Sequence, residues 1–167
     1  ERSSANYIRV KDPSDVNCKN LINKIKEEKI MKKWKDDKLN VLIPMAGAGS
    51  RFEQAGYTFP KPMIDVNGKP MIQVVVDSLN IDAKYIYVVQ KEHYEKYNLN
   101  HFLSLITPNC EIVQIDEMTE GAACTTLLAK KYIDNDEPLL IANSDQYIEW
   151  DSNEFMYSMV ADDIDGG

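Results

Sequence analysis

Short apolar runs alternate with amphipathic stretches from Val41 onward, and this alternation is the feature that most limits the fold. The apolar runs predict strands, and the stretches between them carry apolar residues at helical spacing. Strands that alternate with helices favour parallel βαβ units, in which helices cover both faces of one sheet. The pattern therefore predicts an α/β fold with a mostly parallel central sheet.

The predicted elements also predict where a ligand would lie. Four strands are expected, at residues 40–46, 84–90, 111–116 and 137–148, and three helices are expected, at residues 69–80, 91–106 and 121–133. Ligands of such sheets gather at the carboxyl ends of the strands. We therefore expect three loops to line one rim: the glycine loop after the first strand, Asp116 to Gly121, and Asn143 to Gln146.

The first forty residues differ in texture from the rest. Residues 17–38 carry apolar side chains at roughly helical spacing among lysines, which predicts an amphipathic helix. We interpret residues 1–40 as a helical linker or the tail of an upstream unit. Residues 41–167 are interpreted as the N-terminal part of a domain that is truncated at its carboxyl end.

Charge and cysteine content limit the partners. The formal net charge of the 167 residues is -8, which counts against nucleic acid as the main partner, because duplex binding draws on clustered Lys and Arg. Cys18, Cys110 and Cys124 form no CxxC pair, so neither a disulfide framework nor a zinc site is indicated. No signal-peptide core and no apolar run long enough for a bilayer are found, and the expected location is cytoplasmic.

The segment LIPMAGAGSRFEQAGYTFPKPMI places a glycine loop directly after the first predicted strand. Glycine lets backbone N–H groups approach a phosphate closely. The Walker spacing is absent, and Phe52 occupies the place of the third glycine of a dinucleotide fingerprint. The loop instead presents two cations, Arg51 and Lys61, which could hold different phosphates of one reacting assembly.

The pattern GxGxR, a spacer and PKP, after the strand VLIPMA, resembles the signature of the sugar-1-phosphate nucleotidylyltransferases, the NTP transferase family. Three further segments resemble that family in the same order: PMIDVNGKPMIQ, a hairpin and helix start; EMTEGAACTTLLA, beside the nucleotide base; and LLIANSDQYI, a strand end with a metal-binding aspartate. The resemblance implies a Rossmann-like, three-layer α/β/α fold of the nucleotide-diphospho-sugar transferase type.

The resemblance also implies site residues. The glycine loop would approach the nucleotide through Gly47, Ala48, Gly49 and Ser50, and Gly121 would lie under the base. As catalytic residues, Arg51 would hold the triphosphate and Lys61 would neutralise the α-phosphate or the acceptor phosphate. Asp145 would bind Mg²⁺.

Several of these residues have structural interpretations that stay open. The two glycines could form only a tight turn, Asp145 could cap a turn, and Gly121 could be a helix-entry residue with Thr119 as a cap. Asp116 departs from the family, which has a base-reading glutamine near this place. An ionised aspartate only accepts hydrogen bonds, so Asp116 would favour a base that offers a donor, such as cytosine or guanine.

The implied activity is Mg²⁺-dependent transfer of a nucleotidyl group from a nucleoside triphosphate to a phosphorylated small-molecule acceptor, with release of pyrophosphate. The acceptor would be a sugar phosphate, and the product a nucleotide-activated sugar or related precursor for polysaccharide biosynthesis. Two alternatives stay open: a nucleotide-sugar-dependent glycosyltransferase, which usually has Asp-x-Asp where NSDQ has one aspartate, and a non-catalytic nucleotide-binding regulatory module. The second metal ligand is expected beyond Gly167. The base, the acceptor and the oligomeric state are left open.

Overall fold

The structure, a computed structural model, describes residues 6–9, 33–47, 52, 54 and 56–161. Its strands are β1 (Asn6–Arg9), β2 (Trp34–Pro44), β3 (Asp65–Val66), β4 (Lys69–Pro70), β5 (Ile81–Gln90), β6 (Glu111–Ile115), β7 (Leu139–Ile141) and β8 (Gln146–Glu149). Its helices are α1 (Met71–Leu79), α2 (Lys91–Lys96), α3 (Leu99–Ile106), α4 (Ala122–Leu127), α5 (Lys130–Ile133) and α6 (Ser152–Ala161), and a short 3₁₀ turn spans Lys61–Met63.

A parallel four-stranded sheet forms the centre, in the order β6-β5-β2-β7. Each neighbouring pair of strands is parallel, so the carboxyl ends of all four strands lie at the same end of the sheet, which is called the rim below. The predicted α/β class with a mostly parallel sheet is therefore confirmed.

Helices cover both faces of this sheet. On one face, alternate residues of β2 and β5, such as Val41 and Tyr87, pack with residues of α1, α3 and α6. On the other face, Leu42 and Ile86 pack with Ala129 and with side chains of α5. Because both faces of the sheet are buried, the sequences of its inner strands are nearly continuous apolar runs. The arrangement has the three layers that the sequence predicts.

The hairpin β3–β4 connects the PKP segment to α1. Its turn residues Asn67 and Gly68 have φ of 54° and 82°, the positive values that a tight two-residue hairpin turn requires. The Met71 N–H donates to the Ile64 carbonyl at 2.9 Å, so α1 begins where the hairpin closes. The hairpin and helix start expected from PMIDVNGKPMIQ are confirmed.

The first central strand is longer than predicted and begins at Trp34. The predicted helix is wrong for residues 34–38, which lie in β2, and its first residues 17–32 lie outside the described part of the chain. Trp34 is registered against Ile81 and packs on the core, so burial and strand pairing override the helical spacing. Within residues 1–40, residues 6–9 form β1, which pairs antiparallel with β8.

Three other predicted elements are each divided in two. Helix 91–106 breaks at Asn98, which has φ of 47°, helix 121–133 becomes α4 and α5, and strand 137–148 becomes β7 and β8. Across the described ranges, no helix combines the length and the apolar character needed to cross a bilayer.

Candidate functional site

The strand order places the predicted loops along one rim. Asp116 follows the edge strand β6, the glycine loop follows the inner strand β2, and Asp145 lies in the turn after the opposite edge strand β7. Neighbouring strands lie about 4.8 Å apart, so the rim from β6 to β7 spans roughly 14 Å. The end of β2, from which the glycine loop continues, lies between the two aspartates and one strand away from the β7 side that carries Asp145.

Lys61 and Asp145 form an ion pair between the PKP segment and the β7–β8 turn. Their side chains keep only 20% and 13% of their surface exposed. A pair that is so shielded from water is screened less than a surface pair, so each charge orients the other. Two of the predicted site residues are thus brought together.

The backbone on both sides of the pair is constrained. Pro60 precedes Lys61 in an extended conformation, and the buried Pro62 follows it in the 3₁₀ turn. On the aspartate side, the Asn143 side-chain amide donates to Gln146 Oε1 at 2.7 Å, across the turn that contains Asp145. Both charged groups therefore sit on short connections with restricted backbones.

The ring of Phe52 gives Lys61 a second contact. The ammonium nitrogen lies 4.9 Å from the ring centroid, within the range of a cation–π interaction. Phe52 is buried, its ring meets that of Tyr57, and its carbonyl accepts a hydrogen bond from the Tyr57 N–H at 3.0 Å. Phe52 thus joins the end of the glycine loop to the catalytic lysine candidate.

Tyr97, the residue directly after helix α2, contacts the segment that leads to Lys61. The Tyr97 hydroxyl donates to the Thr58 carbonyl at 3.2 Å, and the centroid of its ring lies 5.8 Å from that of Phe59 and 5.9 Å from that of His93. Desolvation lowers the pKa of His93, which keeps this imidazole neutral at pH 7. The chain from Tyr57 to Lys61 is therefore tied to α2 by aromatic contacts.

The glycines at positions 47 and 121 face open space. Within the described part of the chain, a Cβ built on either residue meets no atom within 4 Å, and neither has the positive φ that favours glycine. Gly121 has an extended backbone, directly precedes α4, and its carbonyl accepts hydrogen bonds from Thr119 and Thr125. Neither packing nor backbone geometry explains these two glycines, and close approach of a ligand would.

Asp116 lies at the rim, although it is far more exposed than Asp145. Its side chain keeps 82% of its surface, and one carboxylate oxygen lies 3.6 Å from the ammonium of Lys91. Lys91 begins α2, directly after β5. The rim beside β6 therefore presents an acceptor and a donor next to each other.

Four predicted site residues, Ala48, Gly49, Ser50 and Arg51, lie outside the described residues. Their roles stay predictions.

The donor set at Asp145 fits magnesium in one respect. A carboxylate is the hard oxygen ligand that Mg²⁺ prefers, and Mg²⁺ is commonly held by one or two carboxylates together with phosphates and water. Among the described residues, no three His, Cys, Asp or Glu side chains cluster into a fuller metal site. Asp145 is therefore the described rim residue that could supply an oxygen ligand to a metal, with further ligands from a phosphate-bearing substrate and water.

Two residues at the rim are absent from the predicted set. Gln90 ends β5 and donates from Nε2 to the Ala46 carbonyl at 2.8 Å, and Phe52 contacts Lys61. The place of Gln90 at the end of a predicted strand was the available signal. Phe52 gave none, since its contact with Lys61 depends on how the loop folds back.

The structure defines an α/β domain with a parallel central sheet and paired charged residues at its carboxyl rim, and comparison with known proteins gives its family. A family model described as Nucleotidyl transferase matches residues 40–166. The chain belongs to this family, which confirms the resemblance in its motifs.

Individual relatives are consistent with the family. The Bifunctional protein GlmU of Methanocaldococcus jannaschii is 31% identical over 121 residues, which cover 71% of this chain and 28% of that protein. The 2-aminoethylphosphonate cytidylyltransferase of Lancefieldella rimae is 46% identical over 43 residues, 26% of this chain and 18% of the relative. The chain thus spans 28% or less of the length of these two curated relatives.

Solved structures agree with the fold. The nucleoside-diphosphate-sugar pyrophosphorylase of Vibrio cholerae superposes with a TM-score of 0.54 at 26% identity, covering 62% of this chain and 46% of that one. HddC of Yersinia pseudotuberculosis gives a TM-score of 0.53 at 23% identity, over 72% and 54% of the two chains. The Rossmann-like architecture is shared with both.

Proposed function

We propose that this chain forms the nucleotide-binding part of an enzyme that transfers a nucleotidyl group from a nucleoside triphosphate to a phosphorylated acceptor. The observation that carries the proposal is the shielded pair of Lys61 and Asp145 at the carboxyl rim of a sheet whose sequence matches the Nucleotidyl transferase family. The pair offers a cation for a phosphate and an oxygen ligand for a metal.

The reaction needs charge neutralisation and alignment more than it needs a protein nucleophile. An oxygen of the acceptor phosphate attacks the α-phosphorus, and the bond from that phosphorus to the oxygen bridging to the β-phosphate breaks. Pyrophosphate leaves with the bonding electrons. The attacking oxygen is already ionised, so no base is required, and positioning with electrostatic stabilisation carries the catalysis.

Lys61 is the group that meets the developing negative charge. Its ammonium is held by Asp145 and by the face of Phe52, so it is already oriented before a ligand arrives. We assign binding of the triphosphate to Arg51. Its phosphate oxygens would accept hydrogen bonds from the backbone N–H groups of Gly47, Ala48, Gly49 and Ser50. Open space above Gly47 supports a close approach there.

Asp145 is assigned the Mg²⁺ ion, which when bound would neutralise phosphate charge and align the triphosphate. Asp145 is then shared between two cations, because Lys61 contacts the same carboxylate. With substrate bound, the Lys61 ammonium would neutralise phosphate charge, and the Asp145 carboxylate would supply an oxygen ligand to the metal.

Base recognition is assigned to Asp116 and Gly121, on the β6 side of the glycine loop. A carboxylate accepts from an amino or imino donor of a base, so a base that offers such a donor, such as cytosine or guanine, is proposed as the substrate. The relative from Lancefieldella rimae is named a cytidylyltransferase, which favours cytosine as the first base to test.

A sugar phosphate is the first candidate for the acceptor, since a Vibrio cholerae relative is named a nucleoside-diphosphate-sugar pyrophosphorylase. A second candidate is a small phosphonate, because the highest identity among the relatives described above is to a 2-aminoethylphosphonate cytidylyltransferase. Both acceptors offer an ionised phosphorus-bound oxygen as the nucleophile, so the chemistry at Lys61 is the same.

Pyrophosphate release tests the proposal. The protein is incubated with Mg²⁺, each nucleoside triphosphate, and either a set of sugar 1-phosphates or 2-aminoethylphosphonate, and pyrophosphate is measured by a coupled assay. Acceptor-dependent release is expected. Release of nucleoside diphosphate from a nucleotide sugar would identify a glycosyltransferase instead, and binding without any product would identify a regulatory module.

A further inference from the structure

Gln90 forms a side-chain bridge between the two central strands at the rim. It is the last residue of β5, it is half-buried, and its Nε2 donates to the carbonyl of Ala46 at 2.8 Å. Backbone pairing between β2 and β5 reaches only as far as the Met45 N–H, which donates to the Val88 carbonyl at 2.8 Å. The Gln90 side chain therefore extends the pairing by one residue, into the glycine loop.

The carbonyl that Gln90 holds belongs to the first peptide plane of that loop. A trans peptide is planar, so the Ala46 C=O and the Gly47 N–H lie in one plane and point in opposite directions. Because the hydrogen bond holds the Ala46 carbonyl toward Gln90, the Gly47 N–H is held pointing away from Gln90. Ala46 is buried while Gly47 is exposed beside open space, so the plane turns at the boundary between core and rim.

We propose that Gln90 is a positioning residue for nucleotide binding, which aims the Gly47 N–H at a phosphate oxygen by holding the Ala46 carbonyl. It does not contact the nucleotide through this bond. Without the bond, the Ala46–Gly47 peptide can rotate and present its carbonyl to the phosphate, which an anion repels. This inference rests on the proposed function, because it presumes that the glycine loop binds a triphosphate.

Glutamine suits this task because its amide nitrogen donates at the end of a side chain with no net charge. A glutamate at the same place has the same shape, but its ionised carboxylate accepts only and would face the Ala46 carbonyl oxygen. Its protonated form regains a donor. Gln90→Glu is therefore a substitution whose effect depends on pH, whereas Gln90→Met removes the donor at every pH.

The experiment measures equilibrium binding of the Mg²⁺ complexes of the four nucleoside triphosphates by titration calorimetry, with the unsubstituted protein and both variants. Loss of one oriented donor is expected to weaken binding on the order of ten-fold in Gln90→Met and Gln90→Glu at about pH 8. The deficit of Gln90→Glu, relative to the unsubstituted protein, is expected to shrink as the pH falls to about 4, where a glutamate of ordinary pKa is mostly protonated, while that of Gln90→Met stays.

Tyr85→Phe is the matched control. It also removes one side-chain donor from β5 to a backbone carbonyl, the bond from Tyr85 to Ile81 at 3.0 Å, but at the amino end of the strand. It should cost folding stability and leave nucleotide binding unchanged. Equal binding by the unsubstituted protein and Gln90→Met would overturn this inference. Absence of triphosphate binding by the unsubstituted protein would instead overturn the proposed function.

Discussion

The ammonium of Lys61 and the carboxylate of Asp145 meet although the two residues lie 84 positions apart in the chain. One belongs to the PKP segment and the other to the turn between β7 and β8. Each is three-quarters or more shielded from solvent. In the proposed reaction, Lys61 neutralises phosphate charge and Asp145 binds the metal. The ion pair therefore holds both groups at the rim, and Lys61 competes with the metal for the Asp145 carboxylate.

Lys61→Ala should slow nucleotidyl transfer on the order of a hundred-fold, because a fixed cation at developing charge is lost. Steady-state pyrophosphate release measures the effect. Lys69→Ala is the control, since Lys69 pairs with Asp77 at 2.6 Å in an exposed position close by in sequence. Normal turnover in Lys61→Ala would show that this lysine has been misassigned.

Substitutions of Lys61 and of Asp145 should change the metal affinity in opposite directions when no nucleotide is present. Lys61→Ala removes the cation that competes for the Asp145 carboxylate, so Mn²⁺, used as a probe for Mg²⁺, should bind several-fold more tightly. Asp145→Asn should weaken it below detection. Electron paramagnetic resonance of free Mn²⁺ gives both values, with Asp77→Asn as the control. Equal affinity in the unsubstituted protein and Asp145→Asn would remove Asp145 from the metal site.

Gly47→Ala should impair nucleotide binding without impairing the fold. An added Cβ meets no atom of the described residues within 4 Å, and alanine restricts the unfolded chain, so stability should stay unchanged or rise by up to about 1 kcal/mol. Gly68→Ala gives the reverse pattern, because Gly68 has φ of 82° in the β3–β4 turn: stability falls by about 1 kcal/mol while binding persists. Urea unfolding and nucleotide titration separate the two effects.

Asp116→Asn should change which nucleoside triphosphate is preferred, rather than slow transfer equally with all four. The ionised carboxylate only accepts hydrogen bonds, whereas the amide of asparagine both donates and accepts. Turnover is compared across the four nucleoside triphosphates, with Lys91→Met as the control that removes the neighbouring cation. An unchanged order of preference in Asp116→Asn would exclude Asp116 from base recognition.

Alkaline pH should destabilise the fold through two buried tyrosines. Burial raises the pKa of Tyr85 and Tyr87 well above the ordinary value of 10.0. Above about pH 10 the unfolded chain releases these protons and the folded chain does not, so the free energy of unfolding falls as pH rises further. Below that pH the contribution is fully present.

Urea unfolding between about pH 8 and pH 12 measures this dependence. Tyr87→Phe should flatten it, although the variant also loses the hydrogen bond of 3.0 Å between Tyr87 and Thr107 and is less stable at neutral pH. Thr107→Val is the control, because it removes the same bond and keeps both titrating groups. Equal slopes in Tyr87→Phe and Thr107→Val would contradict the assignment.

The candidate site divides between residues that a local pattern can predict and residues that it cannot. Lys61 and Asp145 were predicted from the PKP and NSDQ motifs, and their pairing followed from neither. The pairing depends on the place of β7 beside β2, which is a property of strand order. Gln90 was missed because its role depends on which carbonyl its side chain reaches across the sheet.

The sequence by itself determined the α/β class, the order of the four central strands along the chain, the hairpin before α1 and the family, because apolar period and turn chemistry are local properties. Tertiary structure decided that Trp34 begins a strand, that β1 pairs with β8, that Gln90 holds Ala46 and that Lys61 meets Asp145. These contacts join distant parts of the chain. Their free energy comes from burial and pairing across the sheet, which no short window of sequence contains.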